Sequence, residues 1–147
     1  MAKSLMFDAP VLLFTLAGIG LAESSYLIRK RIIAERPICP LGGSCELVLA
    51  SKYNRLFKFI HNDVLGMLFY VMVGFLAGLL QIIHSFAPTY PFFLDVLSWI
   101  VAGGTVMSLG LIYIQWRILN AWCFWCLMSA GTIFLMAYIL LLAKNIF

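Results

Sequence analysis

The chain carries four cysteines in two pairs. Cys123 and Cys126 form a C-x-x-C within residues 120–129, where a long apolar run begins, and Cys39 and Cys45 form a C-x5-C far upstream in a polar stretch. Thiols on the first turn of a helix meet unpaired backbone N–H groups and the positive end of the helix dipole, and both favour the thiolate. A thiolate attacks a disulfide or adds to an electrophile. Thiol–disulfide exchange passes through mixed disulfides, so a relay between the pairs requires that they be brought into contact. The loop pair is the more mobile and can visit a soluble partner before returning to the helical pair. Two structural disulfides, a four-cysteine zinc site and plain packing are the competing uses of four cysteines. The C-x5-C spacing is awkward for a metal and no histidine lies near either pair, so no metal site is expected.

Positioning these thiols falls to an apolar framework. The chain of 147 residues is 64% hydrophobic and 11% charged, with mean hydropathy +1.04, more apolar surface than a soluble domain of this size can hide. The pattern predicts an all-α membrane protein: one domain over residues 1–147, a bundle of four membrane-spanning helices over about 11–28, 64–83, 94–115 and 123–143. Asp8 and Pro10 mark the start of the first. A cleaved signal peptide is the rival reading of that stretch, but its basic residue is Lys3 alone and the apolar run continues past Gly20-Leu21-Ala22. Glu23 is unusual in such a run; it either faces the bundle interior or reaches the headgroup zone, and the second is the expectation. Pro37, Pro40, Gly42 and Gly43 mark the cysteine-bearing loop. Residues 46–59 alternate Lys52, Arg55 and Lys58 with apolar side chains and predict a short amphipathic helix at the interface between the first two spans. Asn62 or Asp63 can cap the second span. Gly103 and Gly104 permit close helix contact in the third, and residues 116–122 form a boundary turn whose tryptophans suit a membrane interface. His61 reads as an interfacial polar residue and His84 has no assigned role.

Four crossings put both termini on one side and all four cysteines on the other, so the pairs can meet without a thiol crossing the bilayer. Eight of the ten Lys and Arg residues share the cysteine side, and the positive-inside rule would place that side in the cytoplasm. Disulfides persist outside the cytoplasm. We expect a multi-pass protein of the cell (inner) membrane with its cysteines on the extracytoplasmic face, against the charge distribution. The formal charge of +4 is small, and the basic residues sit where lipid headgroups would be, so no nucleic-acid partner is expected.

The residues resemble the vitamin K epoxide reductase family of membrane thiol oxidoreductases over nearly the whole chain. The resemblance rests on Cys39-x5-Cys45, on residues 44–53 (Ser44-Cys45-Glu46-Leu47 through Tyr53), on residues 62–70 (Asn62-Asp63-Val64-Leu65-Gly66 through Tyr70), and on Cys123-Phe124-Trp125-Cys126. It implies a four-helix core around a quinone pocket. Bacterial and archaeal members regenerate disulfides for a thioredoxin-like partner and pass the electrons to a membrane quinone, of ubiquinone or menaquinone type; animal members reduce vitamin K and its epoxide. Carried over residue by residue, Cys126 faces the quinone, Cys123 exchanges with Cys45, and Cys39 receives electrons from the partner through a Cys39–Cys45 disulfide. Ser51 matches a polar residue beside the active cysteines, and Asn62 one that bonds a quinone oxygen in animal members. Phe57, Leu65, Phe69 and Trp125 are the expected apolar lining of the pocket. Two positions depart from the pattern: Ala130 stands where animal members carry a quinone-bonding tyrosine, and Glu46 where many bacterial members have aspartate. The sequence ends after the fourth span without the thioredoxin-like domain fused in some bacterial members, so a separate partner is expected.

The function expected on these grounds is quinone-dependent disulfide formation by an oxidoreductase. The alternatives are a quinone or vitamin K epoxide reductase, against which Ala130 counts, and a non-enzymatic scaffold stapled by disulfides. A small transporter is a third, but its spans would need polar groups at mid-membrane, and these offer little beyond Glu23 and Gln115 near span ends.

Overall fold

The computed structural model describes residues 2–40, 42, 44–56, 59–83 and 88–145. Phe57 and His84 lie outside the described residues, as does Lys58 in the predicted amphipathic segment.

Among the described residues the α-helices are α1 (Ala2–Ile32), α2 (Ser44–Ala50), α3 (Asn62–Ile83), α4 (Tyr90–Tyr113) and α5 (Phe124–Asn145). Four segments among the described residues are long and apolar enough to cross a membrane: Asp8–Ile32, Asn62–Ile83, Tyr90–Leu119 and Phe124–Asn145. At 1.5 Å per residue the 22 residues of α3 extend about 33 Å, enough for a hydrocarbon core of about 30 Å. A helix satisfies its own backbone in lipid, which is why apolar runs of this length adopt it. Phe14, Phe75, Trp99 and Leu141 point outward, as lipid-facing side chains do, while Leu13, Tyr70, Val73, Leu80, Leu97 and Met136 close the core.

The bundle is tightest between α1 and α3. Small residues make this possible. A Cβ on Gly74 would stand 3.4 Å from Ala17, one on Gly66 3.3 Å from the Ser24 hydroxyl, and Gly20 lies flat against the Tyr70 ring. In the expected Gly103-Gly104 pair only Gly104 is a contact, where a Cβ would meet the Phe69 ring at 2.7 Å; Gly103 faces open space. At the end away from the cysteines, Lys144 of α5 pairs with Asp95 of α4 at 2.7 Å.

Several local expectations change. The helix α1 begins well before Pro10, which lies inside it, and continues through Arg29-Lys30-Arg31 to Ile32. The amphipathic segment is helical only through Ala50. Ser51 Oγ donates to the Val48 carbonyl at 2.7 Å and Asn54 Nδ2 to the Leu49 carbonyl at 2.8 Å. These side chains occupy acceptors at the helix end and stop it. A 3-10 turn (Lys52–Asn54) follows, then two two-residue strands, β1 (Arg55–Leu56) and β2 (Ile60–His61), paired antiparallel. Neither Asn62 nor Asp63 makes a standard cap: Asp63 Oδ1 accepts from Val64 N–H at 3.1 Å and from Arg31 Nη1 at 2.6 Å, tying α1 to the start of α3. The expected boundary turn is partly helical, because the chain continues from α4 through a π-turn, Ile114–Leu119.

Candidate functional site

The π-turn and the reversal after it set the position of the C-x-x-C. Asn120 takes the left-handed conformation at φ +47°, which asparagine tolerates, and reverses the chain. The Gln115 carbonyl accepts the N–H groups of Asn120 and Ala121, while its buried side-chain Oε1 accepts the Cys123 N–H at 2.9 Å. One glutamine thus holds both sides of the reversal. The next helix starts at Phe124, so Cys123 stands at its N-cap. Its Sγ accepts the Cys126 N–H at 3.4 Å, the bond a serine makes at this position. The advantage of the helix N-terminus, which the sequence offered to both thiols, therefore falls on Cys123. The Cys126 thiol donates to the Cys123 sulfur, and this bond, with the backbone N–H groups of Cys126 and Trp125, lowers the Cys123 pKa against the opposing effect of burial.

That shift has a measurable consequence. The thiolate absorbance lost on Cys123→Ser should persist to pH values below the ordinary thiol midpoint of 9.0. In the Cys126→Ala background the midpoint of Cys123 should rise, because its largest stabilising bond is gone. An unchanged midpoint would contradict the hydrogen bond from the Cys126 thiol to the Cys123 sulfur.

The loop pair is a disulfide, Cys39–Cys45, with a Cα separation of 6.2 Å. Cys45, on α2, is buried in one cluster with Val48, Ala121 and Cys123, and both Cys39 and Cys126 pack against that cluster. Cys123 and Cys126 are free thiols. The strand of loop before Cys39 is clamped on both sides of Ile38. The Ile38 N–H donates to the Tyr26 hydroxyl at 3.2 Å, and the Trp125 indole N–H donates to the Ile38 carbonyl at 2.8 Å. The Tyr26 and Trp125 rings meet at 4.7 Å. Trp125, between the two helical cysteines, thus holds the loop that carries the other two.

Below the cysteines a cavity of about 400 Å³ opens between α1, α3, α4 and α5. Cys126, Asn62, Leu65, Phe69 and Trp125 all line it. Ser51 does not; it borders a smaller recess of about 20 Å³ shared with Asn62 and Cys126. Phe57 is outside the described residues. Ala130 lines the large cavity and brings no hydroxyl to it. The Tyr70 hydroxyl enters the same region from α3 and bonds Ser129 Oγ at 2.6 Å, one turn beyond Cys126. The walls are largely apolar, with Glu23, Asn62, Asp63, Gln115 and Ser129 among the polar groups, and Leu68 and Met72 in the lining are also exposed on the bundle's outer face. An apolar chamber of this size with few polar groups and a side opening toward lipid suits a ring with carbonyl oxygens and a long apolar tail. The residues present therefore fit a quinone.

Sequence reasoning missed Gln115 and Tyr26 as organisers of the thiols and misplaced Glu23, which is buried against the cavity rather than at the headgroups. Glu23 and Gln115 are polar residues in apolar spans, and that was the available signal. Tyr26 carried none, because its partner is a backbone N–H in a distant loop. Among the described residues no cluster of His, Cys, Asp or Glu could hold a metal ion.

The family model described as the vitamin K epoxide reductase family matches residues 11–141. Comparison with curated proteins gave no match. The matched region includes all four spans nearly complete, both cysteine pairs and the cavity between them. The chain belongs to the vitamin K epoxide reductase family, and is a multi-pass membrane oxidoreductase whose redox chemistry is linked to a quinone.

Proposed function

We propose that this protein forms disulfides in a separate thioredoxin-like protein and delivers the electrons to a membrane quinone. The observation that carries this reading is the shared burial of Cys45 and Cys123, with Cys126 bordering an apolar cavity. A reduced partner attacks the loop disulfide at Cys39, the less buried of its sulfurs, and leaves as a disulfide. The loop thiol Cys45 then attacks Cys123 in a Cys123–Cys126 disulfide. Cys123 receives the attack, Cys126 leaves, and Cys39 closes back on Cys45 to free Cys123. The arrangement of an oxidised loop above two free thiols matches the stage after this internal transfer. A quinone bound in the cavity supplies a two-electron, two-proton sink. In this reading Asn62, which lines the cavity, bonds a ring oxygen, and Leu65, Phe69 and Trp125 pack the ring. The cysteine face is extracytoplasmic, where the loop disulfide persists. Ala130 offers no hydroxyl to an epoxide, so epoxide reduction is not favoured.

The test is a purified-protein assay with ubiquinone- and menaquinone-type acceptors and two donors, a small dithiol and a reduced thioredoxin-like protein. Cys39→Ala should lower turnover with the protein donor by about 10²-fold or more, while a small dithiol that reaches Cys123–Cys126 directly loses less than about threefold. Equal losses with both donors would rule out the shuttle.

A further inference from the structure

Glu23 sits inside the first span, 9% exposed, and lines the same cavity as Cys126. Its Oε2 has no hydrogen-bond partner among the described residues. The four ion pairs found among those residues do not include it. Of the other polar groups around the chamber, several hold protein partners, and Asn62 is a neutral amide. On α3, Asp63 holds Arg31 and Tyr70 holds Ser129. On α4, Gln115 holds the Cys123 N–H, and Ser108, like Gln115, does not titrate. On α5, Cys126 is the titratable group, and Ser24 is the neighbour on α1 itself. Glu23 is thus the carboxyl of the chamber with an uncommitted oxygen. A carboxyl in a membrane interior is costly where a leucine would pack, and such residues mark proton or substrate paths. A carboxyl that carries its proton can donate as well as accept.

We propose that Glu23 is the proton-holding group of the quinone cavity, an acid that donates a hydrogen bond, and during turnover a proton, to an oxygen of the bound ring. This inference rests on the quinone reading above. Oxidation of Cys123 and Cys126 to a disulfide releases two electrons and two protons, and conversion of quinone to quinol takes up the same number. Glu23 gives one proton at its carboxyl oxygen and regains one released by the thiols, so it ends unchanged. The Ser129 and Tyr70 hydroxyls, bonded to each other between α3 and α5, are not needed for this balance.

The experiment uses the full chain in lipid nanodiscs with a short-tailed ubiquinone as probe and dithiothreitol as donor. Infrared difference spectra on adding quinone should show a shifted acid-carbonyl band in the wild type that is missing in Glu23→Gln. Quinone binding, read by quenching of tryptophan fluorescence, should change less than about threefold, while the turnover number falls about 10²-fold, the effect of a lost general acid. The loss should deepen as pH rises and free protons become scarce. Glu23→Asp, which keeps the carboxyl, should recover part of the rate. Wild-type turnover in Glu23→Gln, or a band unmoved by quinone, would overturn the inference and leave the quinone reading standing. A wild type that bound no quinone would sink both.

Discussion

Replacing Cys126 with alanine is expected to abolish quinone reduction, a loss of at least ~10³-fold, and to trap a Cys45–Cys123 disulfide. The two effects have one cause. Cys126 is the helical cysteine that lines the cavity, and Cys123 is shut into the cluster with Cys45. With the loop oxidised, the Cys123 thiolate attacks Cys45; a Cys45–Cys123 bond forms, the Cys39–Cys45 bond breaks, and Cys39 departs as thiolate. In the intact protein Cys126 can displace Cys45 from that mixed disulfide by attacking Cys123, the reverse of the transfer proposed above. Without it the intermediate has no partner to displace Cys45 except Cys39, and the bridged form accumulates. Non-reducing mass spectrometry of protease digests reads the bridge directly. Full quinone turnover by Cys126→Ala would refute the assignment of the terminal thiol. Inactive protein with no Cys45–Cys123 bridge would refute the contact between the pairs.

Gly20→Leu is expected to destabilise the bundle by about 3 kcal/mol, the upper part of the range for overpacking a buried site. Gly20 lies in the face of α1 that receives the Tyr70 ring. The ring is 1% exposed and its hydroxyl is held by Ser129 at 2.6 Å, so it has no free end to swing aside. Room for a larger side chain must come from separating α1 and α3, the closest pair in the molecule. Gly18, two residues earlier, has nothing within 4 Å of a built Cβ and faces lipid. The same substitution there should stay within about 0.5 kcal/mol. Unfolding in mixed micelles, with quinone binding as a second readout, compares the two. Equal stability of both variants would show that the α1–α3 contact is looser than this packing implies.

The four spans were legible because lipid imposes one strong rule: a long apolar stretch must satisfy its own backbone. Their ends were less so. Residues 46–59 carry a helical spacing of basic side chains, yet Ser51 and Asn54 close α2 early and two short paired strands follow. Side-chain competition for a few carbonyls outweighed a weak periodicity. Glu23 was misplaced for a different reason. Hydropathy measures how far a residue lies along a span, and says nothing of which face it presents to its neighbours.

Local pattern by itself determined that this chain spans a membrane four times, that its two cysteine pairs share one side, and that one pair opens a helix. Order along the chain and the cost of burying backbone are enough for that. Only the tertiary structure decided that Cys123 rather than Cys126 receives the helix N-terminus, that Tyr26 and Trp125 grip the loop, and that Glu23 faces the cavity. Each of these depends on how one helix is rotated against another. That rotation is set by close packing of small residues such as Gly20 and Gly74, whose partners lie far away in the sequence.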